Sequence, residues 1–422
     1  MNTYEQMIER RVFPISFFNY SKYRTPGGVP AAVSDWVDCG INLPQLPNFV
    51  VERNDKADVL ALLDACAEAG IQAIVLDTRC HYPAYKTKGE EGFRQGMAEA
   101  IADWGSHPAT FGLEAGDEAS RDNIWPAYRT AAIHREMAPE LTHFMSFGGY
   151  SPHGAEWMGL RSYRRYLDDF CEHANPRFIH MNNGGCTVIG PEDPIDNYFR
   201  ATKMVADAAQ RNGTRFWVTL LCAGHFNSAT PTEDQLRWQV NTAAACGAQG
   251  IGWFLFYMQA PHANYTTIPI DEHWERTQQY TRLSRVNRTF QKMHGATFTQ
   301  LTFQKTCHIG HAYGGYAPTL DSELVKHVDA DFPTIISEFK DPTGRDYVAI
   351  VNNTHATNGQ ARITWHGQPT IHRVGWQSVE DLDKMFIDSS NPDKRIVRSA
   401  PWLAPGQLEL YRVEAGEMTK AQ

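Results

Sequence analysis

The sequence predicts a (β/α)8 barrel followed by a smaller antiparallel β-sandwich. Three observations carry this expectation. Eight apolar strand patterns alternate with amphipathic helix patterns up to about residue 295. The strands are almost continuously apolar, as strands covered by helices on both faces are. Beyond residue 297 the texture changes to short period-2 segments separated by Pro/Gly turns. An open doubly wound sheet would share the alternation, but no GxGxxG follows the first strand and no P-loop occurs.

The first strand pattern covers residues 12–18, and the loop Thr25-Pro-Gly-Gly28 leads into a short helix over 31–39, stopped by Gly40. Residues 41–45 make the poorest strand of the eight, because Pro44 has no N–H for a ladder. A helix over 58–69 repeats apolar residues at i, i+3 and i+4 and ends at Gly70. The strand over 71–77 then ends on Asp77. Helix 92–104, strand 110–116, helix 123–137 and strand 141–147 follow. Next come helix 160–173, strand 177–181, helix 194–211 with Asn212-Gly213 at its end, and strand 215–221. Thr232 caps a helix over 233–246, Gly247 closes it, and strand 250–257 with helix 274–293 completes the alternation. The period-2 segments are 299–306, 334–339, 346–352, 360–365, 370–376 and 407–413. They divide the chain into a catalytic barrel domain over 1–295 and an accessory β-sandwich over 296–422.

At 422 residues the chain exceeds one ordinary domain, which agrees with that division. A net charge of −9 and the lack of a Lys/Arg run argue against a nucleic-acid surface. The N-terminus lacks the basic start and apolar run of a signal peptide, and no apolar stretch approaches the ~20 residues of a membrane span. The eight cysteines form no CxxC pair and several lie in apolar patterns, which favours free thiols in a reducing, cytoplasmic setting. No metal or cofactor motif is present; His308-Ile-Gly-His311 falls in the β region and reads as structural. Exposed loop aromatics would permit a homo-oligomer.

In a barrel, chemistry gathers at the C-terminal strand ends. Those ends read Asn19 and Tyr20, Asn42 and Gln45, Asp77 and Arg79, Asp117 and Glu118, and Ser146 and Tyr150. The remaining ends read His180, Asn182 and Asn183, Cys222 and His225, and Tyr257 and Gln259. Such a set, rich in amide, imidazole and phenol groups and short of Lys, suits a neutral, hydroxyl-rich ligand. A phosphate would call for Lys/Arg or a glycine-rich helix start. Glu118 stands at the mouth of an apolar strand, where a carboxyl can hold its proton long enough to act as a general acid. The competing reading is that Asp117 or Glu118 caps the helix beginning near Asn123.

The run Phe111-Gly-Leu-Glu-Ala-Gly-Asp-Glu118 resembles the strand-four end of the large clan of retaining glycoside hydrolases that includes β-galactosidases and cellulases. It is similar in particular to glycosidase-like barrels with a Gly-Asp-Glu-Pro signature. Gly247-Ala-Gln-Gly-Ile-Gly-Trp-Phe254 and the tail Ala404-Pro-Gly-Gln-Leu-Glu-Leu-Tyr411 add to the likeness. The resemblance implies a glycosidase acting on an oligosaccharide or glycoside, with Glu118 as acid. It also implies a second carboxylate, yet strand seven, Phe216-Trp-Val-Thr-Leu-Leu-Cys-Ala-Gly-His225, carries none, and Ala119 stands where the signature has Pro. Asp77 on the neighbouring strand is the favoured substitute, with Asp117 and the loop residues Asp271 or Glu272 as alternatives. Asn19, Arg79, His180, Asn182, Asn183 and His225 are candidate hydroxyl partners. Tyr82, Trp157, Trp253 and Tyr257 are candidate stacking faces, although Trp253 could equally fill the barrel interior. A sugar-binding barrel without catalysis, or a lyase or transglycosylase using His or Tyr as base, would share these features.

Overall fold

The computed structural model describes residues 1–19, 21, 27–184, 187–188, 193–258, 265–383, 386–387 and 397–414. The chain divides into two compact units, residues 1–231 with 248–288, and residues 232–247 with 289–422.

In the first unit the buried strands form a curled parallel sheet. They are β1 (Ile15–Phe17), β2 (Ala73–Val75), β3 (Thr110–Asp117), β4 (Phe144–Phe147), β5 (Phe178–Asn182), β6 (Arg215–Leu221) and, after the short β7 (Gly224–His225), β8 (Ile251–Phe254). Their order is β1-β8-β6-β5-β4-β3-β2. The eighth place belongs to residues 42–49. On one side Leu46 and Phe49 donate backbone N–H groups to Ile74 and Leu76 at 2.9 and 2.8 Å, and Ile74 donates to the Pro44 carbonyl. On the other side Asn42 and Leu43 donate to the Ile15 carbonyl. The ring closes as a (β/α)8 barrel, and Pro44 explains why this position pairs through single bridges rather than a regular ladder. The Asn42 side chain adds a clamp there: it accepts from Ile15 N–H and donates to the Phe13 carbonyl, both at 2.9 Å.

The helices of this unit are α1 (Thr3–Glu9), α2 (Gly28–Asp38), α3 (Lys56–Glu68), α4 (Tyr82–Ala100), α5 (Ile124–Met137), α6 (Pro152–Trp157), α7 (Tyr163–Ala174) and α8 (Pro194–Arg211). Three of them, α1, α4 and α6, go beyond the sequence pattern. A capping box between Asn2 and Glu5 starts α1, and α4 begins at Tyr82, ten residues before the predicted start, with left-handed Gly89 at a kink inside it. The barrel core stacks Trp217 flat on Phe178, with ring centroids 3.9 Å apart, while Tyr4 and Phe111 pack against the same indole. Gly250 allows the chain to pass this indole, since a Cβ there would lie 2.5 Å from the ring.

The second unit contains α9 (Glu233–Ala245) and two antiparallel sheets; α10 (Gln278–Phe290) spans the junction in sequence. After β9 (Tyr265–Thr266), which pairs with β7 in the first unit, the strands are β10 (Thr302–Ile309), β11 (Val325–Ala330), β12 (Thr334–Lys340), β13 (Asp346–Asn352) and β14 (Gly359–Trp365). They continue with β15 (Thr370–Val374), β16 (Glu380–Leu382), β17 (Phe386–Ile387), β18 (Val397–Ser399), β19 (Trp402–Leu403) and β20 (Leu408–Glu414). One sheet runs β10-β12-β13-β20-β15-β16 and the other β11-β14-β18-β17, with β19 on β14. Val348, Ile350, Ile363, Trp365 and Tyr411 fill the sandwich between them. Within this unit Asn241 of α9 donates to the Gly406 carbonyl at 2.8 Å. Gly406 is left-handed, and a Cβ there would lie 2.5 Å from the Trp238 backbone. His308 is buried on β10 and stacked on Tyr316. The seven described cysteines are buried and form no disulfide, and among the described residues no helix is long and apolar enough to cross a membrane.

Asn42→Ala removes both side-chain bonds at the closure and leaves the Ile15 N–H without its acceptor. A loss of about 1–3 kcal/mol is expected, together with faster hydrogen exchange at the Ile15 amide. Unchanged protection at that amide would show that the clamp does not hold the seam.

Candidate active site

Neighbouring side chains on a strand point to opposite faces, so Asp117 and Glu118 should diverge. The end of β3 breaks that rule. The register against β4 shifts between Glu114 and Gly116, Gly116 takes φ +143°, and Glu118 takes φ +43° in the left-handed region. Both carboxylates therefore reach one amide. Asn182 Nδ2, on β5, donates to Asp117 Oδ1 at 3.1 Å and to Glu118 Oε1 at 2.8 Å. Gly116 is required twice over, by its positive φ and because a Cβ would sit 2.3 Å from the Tyr82 ring. A left-handed glutamate costs on the order of 1–3 kcal/mol. The Glu118 N–H donates to the Ser146 carbonyl at 2.9 Å and so helps to hold that conformation.

Asp117 is half-buried and Glu118 exposed. Burial, and then the charge of Glu118, raise the Asp117 carboxyl to about 7, against the pull of hydrogen bonds from Ser146 Oγ (2.6 Å) and Asn182. Beneath them His180 shares a 2.7 Å hydrogen bond with Thr219 through Nε2, and its Nδ1 has no partner. Burial lowers its pKa to about 3, which keeps the ring neutral.

Two cavities meet at Phe18 and Asp117. The first, of ≈ 460 Å³, is lined by Asp117, Glu118, Asn182, Thr219, His225, Phe226, Phe254 and Tyr265 among others. His225 lies flat on Tyr265, with centroids 5.0 Å apart, across the β7–β9 ribbon. The second, also ≈ 460 Å³, is lined by Asn19, Gln45, His81, Tyr82 and Glu114 among others. His81 and Glu114 form an ion pair at 2.9 Å. Burial opposes the charge on His81, but Glu114 outweighs it and the His81 pKa rises.

Of the residues singled out in the sequence, Asn19, Gln45, Tyr82, Asp117, Glu118, Asn182 and His225 come together at these cavities. The other candidate site residues do not line them. Asp77 is 0% exposed; Arg79 holds both its oxygens, one of them at 2.6 Å, and Trp104 Nε1 donates to it at 2.9 Å. Arg79 is itself buried and also paired with Asp103. These two residues tie the end of β2 to the turn after α4, and Asp77 does not reach Glu118's cavity. Glu272 is exposed on a loop. Asn183 bonds the Tyr198 carbonyl and Thr202, Trp253 donates to Asn287 on α10 instead of filling the barrel interior, and the Tyr257 hydroxyl accepts from Trp36. Tyr20 and Gln259 lie outside the described residues, as does the side chain of Trp157. Strand-end reading missed Glu114, which sits mid-strand. Its signal was available: a charge within an apolar, buried strand needs a partner or a purpose.

No protein-family model matches the chain, and no curated protein matches it. Solved structures do. A catalytic mutant of Gan42B, a GH42 β-galactosidase from G. stearothermophilus, aligns with a TM-score of 0.64 at 9% identity, over 96% of this chain and 98% of that one. A glycoside hydrolase family 5 structure from Bacteroides vulgatus aligns with a TM-score of 0.60 at 11% identity, over 97% and 90%. A polyextremophilic β-galactosidase from the Antarctic haloarchaeon Halorubrum lacusprofundi aligns with a TM-score of 0.50 at 11% identity; the match takes in 67% of this chain but only 58% of that longer one. The barrel and sandwich together have the fold of glycoside hydrolases.

Because its pKa is raised, folded Asp117 binds a proton more tightly than it does in the unfolded chain, where about 3.9 is ordinary. Ionisation therefore costs stability as pH rises from about 4 through 7. Asp117→Asn cannot ionise, so its melting temperature should exceed that of the unsubstituted protein at pH 8, and the advantage should vanish by pH 4. A gap independent of pH would show that the charge is not the cause.

Proposed function

We propose that the protein is a glycoside hydrolase in which Asp117 and Glu118 act together as the acid/base. The observation that carries this reading is the pair itself: two adjacent carboxylates on one amide, in a cavity at the barrel mouth, one of them still partly protonated near neutrality. Their shared donor keeps the bonded oxygens within about 6 Å, close enough to exchange a proton through water or directly. The proton rests on Asp117, and the exposed Glu118 delivers it to the glycosidic oxygen. The bond to the anomeric carbon breaks, the leaving sugar departs as an alcohol, and water adds to the anomeric carbon and returns a proton to the pair. Asn182 orients both carboxylates, and His225, Phe254 and Tyr265 furnish aromatic faces for a sugar ring. In this reading the barrel is the catalytic domain and the sandwich an accessory one.

Glu118→Gln is expected to lower kcat by roughly 10²–10⁴-fold while leaving the affinity for a neutral disaccharide, measured by calorimetry, nearly intact. Full turnover in that variant would end the proposal.

Asp117→Asn removes the carboxyl that is still protonated near pH 7. The alkaline limb of its kcat/KM profile should therefore move to lower pH. An unmoved limb would take Asp117 out of the proton path.

A further inference from the structure

We propose that the second cavity is a subsite for a further hydroxyl-rich ring of the same substrate, read by the side-chain amide of Gln45. The inference rests on the glycosidase reading for its choice of ligand, and on this cavity alone for its location. The cavity shares Phe18 and Asp117 with the first, so a substrate seated at Glu118 continues directly into it.

Gln45 is the decisive residue. It is 1% exposed, yet neither its amide nitrogen nor its amide oxygen has a hydrogen-bond partner. A buried amide left in this state costs stability, and folds rarely keep one without a reason. The neighbouring amide, Asn19, is already engaged: its Nδ2 donates to the Gln45 backbone carbonyl at 2.8 Å and its Oδ1 accepts from Ser21 N–H. The free amide thus belongs to Gln45, with donors and an acceptor side by side. Two neighbouring hydroxyls on a pyranose, each both donor and acceptor, are the matching chemistry. The His81–Glu114 pair lines the same cavity and adds an imidazole and a carboxyl group to its wall. The wall carries no unpaired cation that would select a phosphate or carboxylate among the described residues.

The test is Gln45→Leu in the full chain, with Gln45→Met as a second variant should the first fail to fold. Removing an unpartnered buried amide should leave the melting temperature equal or higher, which separates a binding role from a structural one. The probes are p-nitrophenyl β-glycosides of gluco, galacto and manno configuration, together with the matching β-1,4-linked disaccharides. An aryl monoglycoside needs only the ring position beside Glu118, so its kcat/KM should stay within about twofold. For the disaccharide that is turned over, kcat/KM should fall about tenfold or more. Equal losses on both substrates, or no loss on either, overturn the subsite. If the unsubstituted protein hydrolyses nothing, the glycosidase reading fails alone, and calorimetry on the disaccharides still decides. Weaker binding in Gln45→Leu supports the subsite; unchanged binding, or no disaccharide binding to the unsubstituted protein, removes it.

Discussion

The site depends on one amide. Asn182 Nδ2 can serve Asp117 and Glu118 together only because the end of β3 abandons the alternation of a strand. That departure needs Gly116 at φ +143°, the register shift against β4, and a glutamate held left-handed. It also needs β5 two strands away with its own end level with that of β3, which is a property of the barrel and not of the motif. Two like charges drawn together in a half-buried place resist ionising together, and the raised pKa of Asp117 follows from burial and that repulsion. Local strain, barrel register and proton affinity are thus three consequences of the same arrangement.

Barrel closure depends on a less conspicuous device. Pro44 interrupts the ladder at the one position where a regular strand would have joined β1 to β2. The ring is completed by a few backbone bonds and by Asn42, whose side chain substitutes for the missing ladder. The irregular backbone has a consequence at the mouth. Gln45 follows Pro44 directly, and in a segment without full ladder pairing its side chain reaches the cavity floor with no protein partner. The poorest strand of the eight is the one that contributes an uncommitted polar group.

Much of the fold was legible because punctuation and periodicity agreed. Helix α8 and strand β6 have the bounds read from the sequence, for Pro194 opens the helix and Asn212-Gly213 closes it ahead of an apolar run. Strand β8 was read too long. Leu255, Phe256 and Tyr257 are apolar because they pack in the core, with the Tyr257 hydroxyl on Trp36, and not because they extend the strand. Helices α1 and α6 are too short for a periodic signal and are announced only by the caps Asn2 and Ser151. Glu118, Asp117 and Asn182 were singled out by strand-end position, and the structure brings them together at one cavity. Their shared hydrogen bond was not legible, because it follows from φ values that a sequence does not display.

The contrast between Asp77 and Asp117 shows why a strand-end position does not by itself place a carboxylate in the cavity. Both are aspartates at the C-terminal ends of neighbouring barrel strands, Asp77 fully buried and Asp117 half-buried. Asp77 has a guanidinium two residues away that reaches both its oxygens, and an indole N–H closes the remaining space. Both oxygens of this carboxylate are engaged by the protein itself; removing Arg79 would leave an uncompensated buried charge, typically a loss of 3–5 kcal/mol. Asp117 has a second carboxylate where Asp77 has its arginine, and only neutral donors besides. The same residue type is held by a guanidinium in one strand and stands beside a second carboxylate in the next. What separates them is the sign of the nearest charge, and that sign is fixed by which side chain the local backbone turns toward the carboxylate: Arg79 across an ordinary turn, Glu118 across a strained one.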